Sequence, residues 1–210
     1  MAAPAPGLVY VVEHMEEDYG EWCHLEYIHM IEGVRGSGHR VRFTNLPDDA
    51  AAKLRAAAPD ADCGAASVHV PGTLPAGARV CLLDPKATEP LQPGDAALFD
   101  TFVFGGILGD DPPKYRTSEL HSLGAATRHL GPVQMTTDTA VLVTHAVVGL
   151  GQPLDQLPYL DRPDVVLGPH ESINLPFRYL TVPGPDGAPA PRLPRGMMEH
   201  LRDSMDEPLW

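Results

Sequence analysis

The chain is short of cysteine, of positive charge and of long apolar runs. Its three cysteines, Cys23, Cys63 and Cys81, are odd in number, far apart and free of any C-x-x-C pair, which argues against a disulfide framework and against a structural zinc site. Histidine is plentiful, but no H-E-x-x-H occurs, and His24 and His29 stand five apart, off a common helical face, so no metal is expected. No apolar run approaches the roughly 20 residues that a membrane-spanning helix requires. The opening MAAPAPG has no basic stretch followed by an apolar one; it reads as a short flexible leader over residues 1–7 and points to a cytoplasmic protein. No G-x-G-x-x-G opens a helix after the first strand, no phosphate-loop motif occurs, and no G-x-S-x-G is present to anchor a hydrolytic serine.

Basic residues number 15 against 28 acidic ones, a formal charge of −13. Nucleic-acid binding draws much of its affinity from Lys and Arg neutralising phosphates, so nucleic acid is disfavoured as the direct substrate and a basic protein partner is favoured. An ordinary acidic, well-solvated surface is the alternative explanation of the same balance.

What the sequence does contain is alternation. Leu8–Val12, Arg40–Leu46, Arg79–Leu83, Thr101–Phe104 and Asp164–Leu167 read as strands, with a short one over Ser67–Val70. Glu21–Val34, Asp48–Ala58, Thr136–Leu150 and Arg195–Met205 read as helices. In the first helix, Trp22, Leu25, Ile28, Ile31 and Val34 at steps of three predict the core face. Strands alternating with helices over 210 residues predict one α/β domain with a mostly parallel sheet. The proline-rich segment 183–194 is expected as a flexible or polyproline-like connector that leaves the last helix loosely docked.

The candidate site follows from where strands end. Ligands of parallel α/β sheets bind beyond the carboxyl ends of strands. Leu83-Asp84-Pro85, Phe104-Gly105-Gly106 and Pro158-Tyr159-Leu160-Asp161 are three such ends with Gly, Pro or Asp signatures. The glycines of FGGILGDD permit close backbone approach, so a branched side chain at Gly106 should fall where the ligand lies. Gln134–Asp138 reads either as ligand-binding backbone or as a helix N-cap. Arg178 is expected either to fix a carboxylate near the pocket or to pair with Asp161 or Glu171, and His14 either to orient its loop or to make a structural hydrogen bond.

Five ordered blocks, VVEHMEEDYGEWCHLEY, RVCLLDP, FVFGGILGDDPP, QMTTDTAV and NLPFRYL, resemble a small eukaryotic and archaeal family of knotted methyltransferases in the SPOUT superfamily. Its characterised fungal member methylates an arginine of a small-subunit ribosomal protein. The resemblance implies a Rossmann-like, mostly parallel sheet with a deep C-terminal trefoil knot. It implies S-adenosylmethionine as methyl donor, held by Leu83, Asp84 and Pro85, by Phe104, Gly105, Gly106, Ile107, Leu108 and Gly109, by Gln134, Met135, Thr136 and Thr137, and by Pro158, Tyr159, Leu160 and Asp161. A guanidinium stays protonated in water, so its methylation needs carboxylates. Glu13 and Asp110 are the expected catalytic pair, with Glu16, Glu17 and Asp111 as outer charge. The activity implied is methylation of an arginine in a basic ribosomal protein, by a monomer. The alternatives are a SPOUT RNA methyltransferase and a silent donor-binding module. The chain departs from the family pattern at Lys114-Tyr115, before Arg116-Thr117, and in the insertion PGPDGAPAP.

Overall fold

The structure, a computed structural model, describes residues 7–107, 117–168, 171–184 and 186–204. β1 (Val9–His14) leads into helix α1 (Glu21–Val34), β2 (Arg40–Thr44), α2 (Asp48–Ala57) and the two-residue β3 (Asp62–Cys63). β4 (Val80–Leu83), the short α3 (Asp95–Leu98), β5 (Thr101–Gly106) and β6 (Ala126–Arg128) complete one parallel sheet of six strands in the order β3-β2-β1-β5-β4-β6. Strand order reverses between β1 and β5, the kind of position where a crevice opens beyond the strand ends.

Alternation along β1 divides the core. Tyr10 and Val12, with Phe43, Phe102 and Phe104, face α1, α2 and the helix α4 (Thr137–Thr144) across the main apolar cluster. Val9, Val11, Leu82 and Val103 face the other way, onto Val68 and Leu120. α4 runs on without a break into a π turn over His145–Gly149, so the expected Thr136–Leu150 helix is present with a change of pitch inside it.

The C-terminal part forms smaller sheets. β7 (Tyr159–Asp161) pairs antiparallel with β10 (Arg178–Pro183), while β8 (Asp164–Gly168) pairs with β9 (Glu171–Asn174). Pro189–Pro191, expected within a flexible connector, form β11 and pair antiparallel with β10, so a hairpin stands there. The last helix, α5 (Met197–Asp203), is not loosely docked: Met197 and Leu201 are buried with Val165, Leu167, Phe177 and Tyr179. That cluster also covers Trp22 and Leu25, which explains a second difference. The deepest apolar face of α1 is Cys23, Tyr27, Met30 and Val34, and the expected face of Trp22 and Leu25 packs against α5 and its neighbours. Ser67–Val70 is a turn and not a strand.

Candidate functional site

The parallel register brings the strand ends together. Glu13 stands beside Thr44 on one side and Gly105 on the other, His14 stands beside Gly106, and Leu82 of β4 stands beside Val103 of β5. Beyond β1 the chain stays close, since the Met15 N–H donates to the Gly106 carbonyl at 3.1 Å.

Glu13 is 4% exposed, on the sheet face opposite α1. Its Oε1 accepts the Ser67 hydroxyl, and its Oε2 accepts the Thr44 hydroxyl at 2.5 Å and the Val68 N–H at 3.0 Å. A carboxylate offers about four acceptor positions, so one on Oε1 remains for a further donor. In the sequence Thr44 is legible only as a position in the Arg40–Leu46 strand, and Ser67 and Val68 only as part of a short strand, because their pairing with Glu13 is long-range. Asn45 next door adopts a left-handed φ of 54° and donates its side-chain N–H to the His14 carbonyl at 2.8 Å, a conformation asparagine tolerates. His14 itself is buried, with Nδ1 2.9 Å from the Tyr27 hydroxyl and Nε2 without a hydrogen-bond partner. Burial lowers its pKa against the opposing pull of Glu16 and Glu13, which favours a neutral ring.

The glycine pair is constrained from within the protein. A Cβ on Gly106 would lie 2.7 Å from the Glu13 carbonyl oxygen and 2.9 Å from Val12 Cγ1, so a side chain there collides with β1 whether or not a ligand is present. At Gly105 the nearest atoms are the ends of Met15 and Ile107, at 3.2 and 3.3 Å.

Of the residues expected to hold a methyl donor, those of the glycine loop, the α4 start and β7 are tied together by hydrogen bonds, directly or through Arg178. Leu83 is buried at the end of β4 and Pro85 is exposed. The buried Asp84 accepts the Lys86 N–H on Oδ1 at 2.9 Å and lies 2.8 Å from His121 Nε2 through Oδ2, while its own N–H donates to the Arg128 carbonyl. Phe104 is core, and the Ile107 carbonyl accepts the Thr137 hydroxyl at 3.0 Å, tying the glycine loop to the start of α4. Thr136 takes the N-cap position but makes no side-chain cap bond; its hydroxyl reaches that of Thr139. The Gln134 carbonyl accepts the Arg178 N–H at 2.8 Å, and Met135 bridges to Arg178. Arg178 also donates Nε and a terminal nitrogen to the two oxygens of Asp161, at 2.5 and 2.8 Å, and lies over the Tyr159 ring at 4.7 Å. Of the two partners left open, Asp161 and not Glu171 is the one found, and this pairing lowers the Asp161 pKa. Leu160 pairs with Tyr179, and the Pro158 carbonyl accepts the Thr181 N–H. Pro158–Asp161 thus reach the site through β10 and not as an end of the central sheet. Leu108, Gly109, Asp110 and Asp111 lie outside the described residues, as do Lys114, Tyr115 and Arg116.

A cavity of about 310 Å³ opens on the Glu13 side of the sheet, between β2 and the 64–73 loop, lined by Arg42, Thr44, Ala66, Val70 and Thr73 among others. None of the residues expected to hold the donor lines it, and one lining residue, Thr44, bonds to Glu13.

Comparison with known proteins bears on all of this at once. Protein arginine N-methyltransferase SFM1 of Saccharomyces cerevisiae is 36% identical over 206 residues, covering 92% of this chain and 93% of the yeast protein. The crystal structure of yeast arginine methyltransferase SFM1 complexed with SAM matches with a TM-score of 0.81 at 32% identity, over 98% of this chain and 94% of that one. Its complex with SAH gives 0.75 at 34% identity, over 91% and 93%. A Trm10 structure from Thermococcus kodakaraensis, at 17% identity and a TM-score of 0.53 over 71% of this chain and 96% of that one, shares the fold alone, that of SPOUT methyltransferases. A family model described as protein arginine N-methyltransferase SFM1-like spans residues 9–207. The strand ends, the glycine loop and the α4 start all fall within that span, and the chain belongs to the SFM1-like protein arginine N-methyltransferase family.

Proposed function

We propose that this protein is an S-adenosylmethionine-dependent protein-arginine N-methyltransferase whose substrate is a basic protein of the small ribosomal subunit. The observation that carries the reading is the near full-length likeness to a yeast relative solved with SAM, in a chain whose glycine loop and α4 start are linked by a hydrogen bond. The residues present suit such a donor. Much of the lining is backbone, from Gly105 to Ile107 and Gln134 to Thr137. Carboxylates at Glu13 and Asp84 favour a sulfonium, and the nearby Arg178 is engaged by Asp161. When bound, the donor would supply an electrophilic methyl group to a guanidinium nitrogen and leave as the neutral thioether, while that nitrogen would give up one proton to the Glu13 carboxylate.

The protein's own part is to hold and orient. Glu13, with one acceptor position left, accepts a guanidinium N–H and sets the reacting nitrogen; its negative charge also favours the two cations that must meet. Ser67, Thr44 and the Val68 N–H keep that carboxylate in place. Asp110 is proposed as the second carboxylate. A trefoil knot in the C-terminal part, a monomeric state and a cytoplasmic location complete the reading, the knot supported by the likeness to SPOUT structures.

The RNA-modifying alternative is disfavoured by the charge of −13. The test is incubation with methyl-labelled S-adenosylmethionine and separated ribosomal protein and RNA fractions. Label is expected in a small-subunit protein band and in methylarginine after hydrolysis. Label in RNA with none in protein overturns the substrate assignment.

A further inference from the structure

α1 carries acidic and imidazole side chains where its packing would accept apolar ones. Glu26 is 3% exposed and accepts the Trp22 indole N–H at 2.8 Å. His29, one turn further on, places Nδ1 2.7 Å from Oδ2 of Asp138, itself 1% exposed in the first turn of α4. Oδ1 of Asp138 and the hydroxyl of Tyr179 on β10 are both buried with no hydrogen-bond partner among the described residues. Burial, and then the charge of Asp138, push the Glu26 pKa well above the ordinary carboxylate range.

The location gives the group its meaning. Asp138 directly follows Gln134–Thr137, the segment assigned to the donor. β10 holds that segment at its start, through the Arg178 N–H on the Gln134 carbonyl, and the glycine loop holds it through Thr137 on the Ile107 carbonyl. The third anchor is Asp138 on α1. Replacing buried polar partners by apolar groups of similar volume is often neutral for stability, so packing alone does not call for these residues. A directional hydrogen bond does something packing cannot: it fixes the rotation of the first turn of α4.

We infer that His29 is a positioning residue, which through Asp138 orients the Met135–Thr137 backbone for donor binding. The inference rests on the donor assignment made above. Its test is calorimetric titration of S-adenosylhomocysteine into the full-length wild-type protein and into His29→Leu and His29→Asn. Asparagine places its amide nitrogen where the histidine has Nδ1, and leucine offers no donor. His29→Leu is expected to bind about ten-fold more weakly, within the usual range for coupling between sites, with the KM for the protein substrate unchanged at saturating donor. His29→Asn should recover most of the loss. Folded His29→Leu with wild-type affinity overturns the inference, as does equal weakening in both variants, which leaves only packing. If His29→Leu fails to fold, Asp138→Leu against Asp138→Asn gives the same contrast, with recovery expected in the asparagine variant, whose side-chain oxygen still accepts from His29, and equal affinity overturning it. A wild-type protein that does not bind S-adenosylhomocysteine refutes the donor assignment itself, before any variant is compared.

Discussion

The Ser67 hydroxyl donates to Oε1 of Glu13, fastening a loop of no readable pattern to the end of the first strand. Glu13 is therefore held from both oxygens before any substrate arrives. Glu13→Gln replaces one acceptor by an amide that faces hydroxyl and N–H donors. Turnover is expected to fall about 100-fold, the scale for a positioned acid-base group, with S-adenosylhomocysteine affinity nearly unchanged. Stability should fall by about 1.5–3 kcal/mol for the charge-assisted bonds lost. Steady-state kinetics beside urea unfolding checks both, and wild-type turnover would make Glu13 purely structural.

The two glycines of the loop separate fold from function. Gly106→Ala meets the Glu13 carbonyl and Val12, and is expected to cost about 1–3 kcal/mol as overpacking does. Gly105→Ala meets the flexible side chains of Met15 and Ile107, with the Thr117 hydroxyl at ordinary contact distance, and should unfold close to the wild-type urea midpoint. Equal midpoints for the two variants would contradict this.

Arg178 links β7 to the donor segment. Lysine cannot reproduce its paired bonds to Asp161 or its flat contact with Tyr159. Because Asp161 is about half exposed, Arg178→Lys should change stability by about 0–1 kcal/mol. Donor affinity is expected to fall several-fold all the same, since the Pro158–Asp161 segment loses its hold. Calorimetry and thermal melting on one sample resolve the two effects; unchanged affinity would detach β7 from the site.

Glu26 gives the chain a pH signature. Its folded pKa is raised above the ordinary 4.5, so the neutral acid's contribution is complete below that value and is lost as pH rises through the folded one. Glu26→Gln removes the titration. The melting temperature of Glu26→Gln minus that of the wild type is expected to be smallest near pH 4.5 and to grow as pH rises. A difference independent of pH would show that Glu26 does not titrate with folding.

Much of the frame was legible because it depends on short-range periodicity. β1, β2, β4, β5 and α1, α2, α4 stand close to where alternation and three-to-four spacing put them, and the parallel sheet follows from their order. The glycine loop and the α4 start were readable as candidate ligand segments, and they do meet, at Thr137 and Ile107. What stayed hidden depends on long-range pairing. No local pattern ties Ser67 to Glu13 or Asp138 to His29, and a step of three along α1 could not reveal that α5 covers the Trp22 side. The hairpin of β10 and β11 was masked by proline, which serves there at a sheet edge.

The place of β1 in the sheet has a consequence for synthesis. Val9 pairs with Arg40 on one side and with Thr101 on the other, so β1 is a central strand whose second edge stays open until β5 emerges. Such distant pairing slows folding, and an open apolar strand edge is a template for other chains. A polypeptide released before residue 101 keeps that edge bare along Val9–Val12, and N-terminal fragments of this protein are expected to self-associate where the full chain stays dispersed.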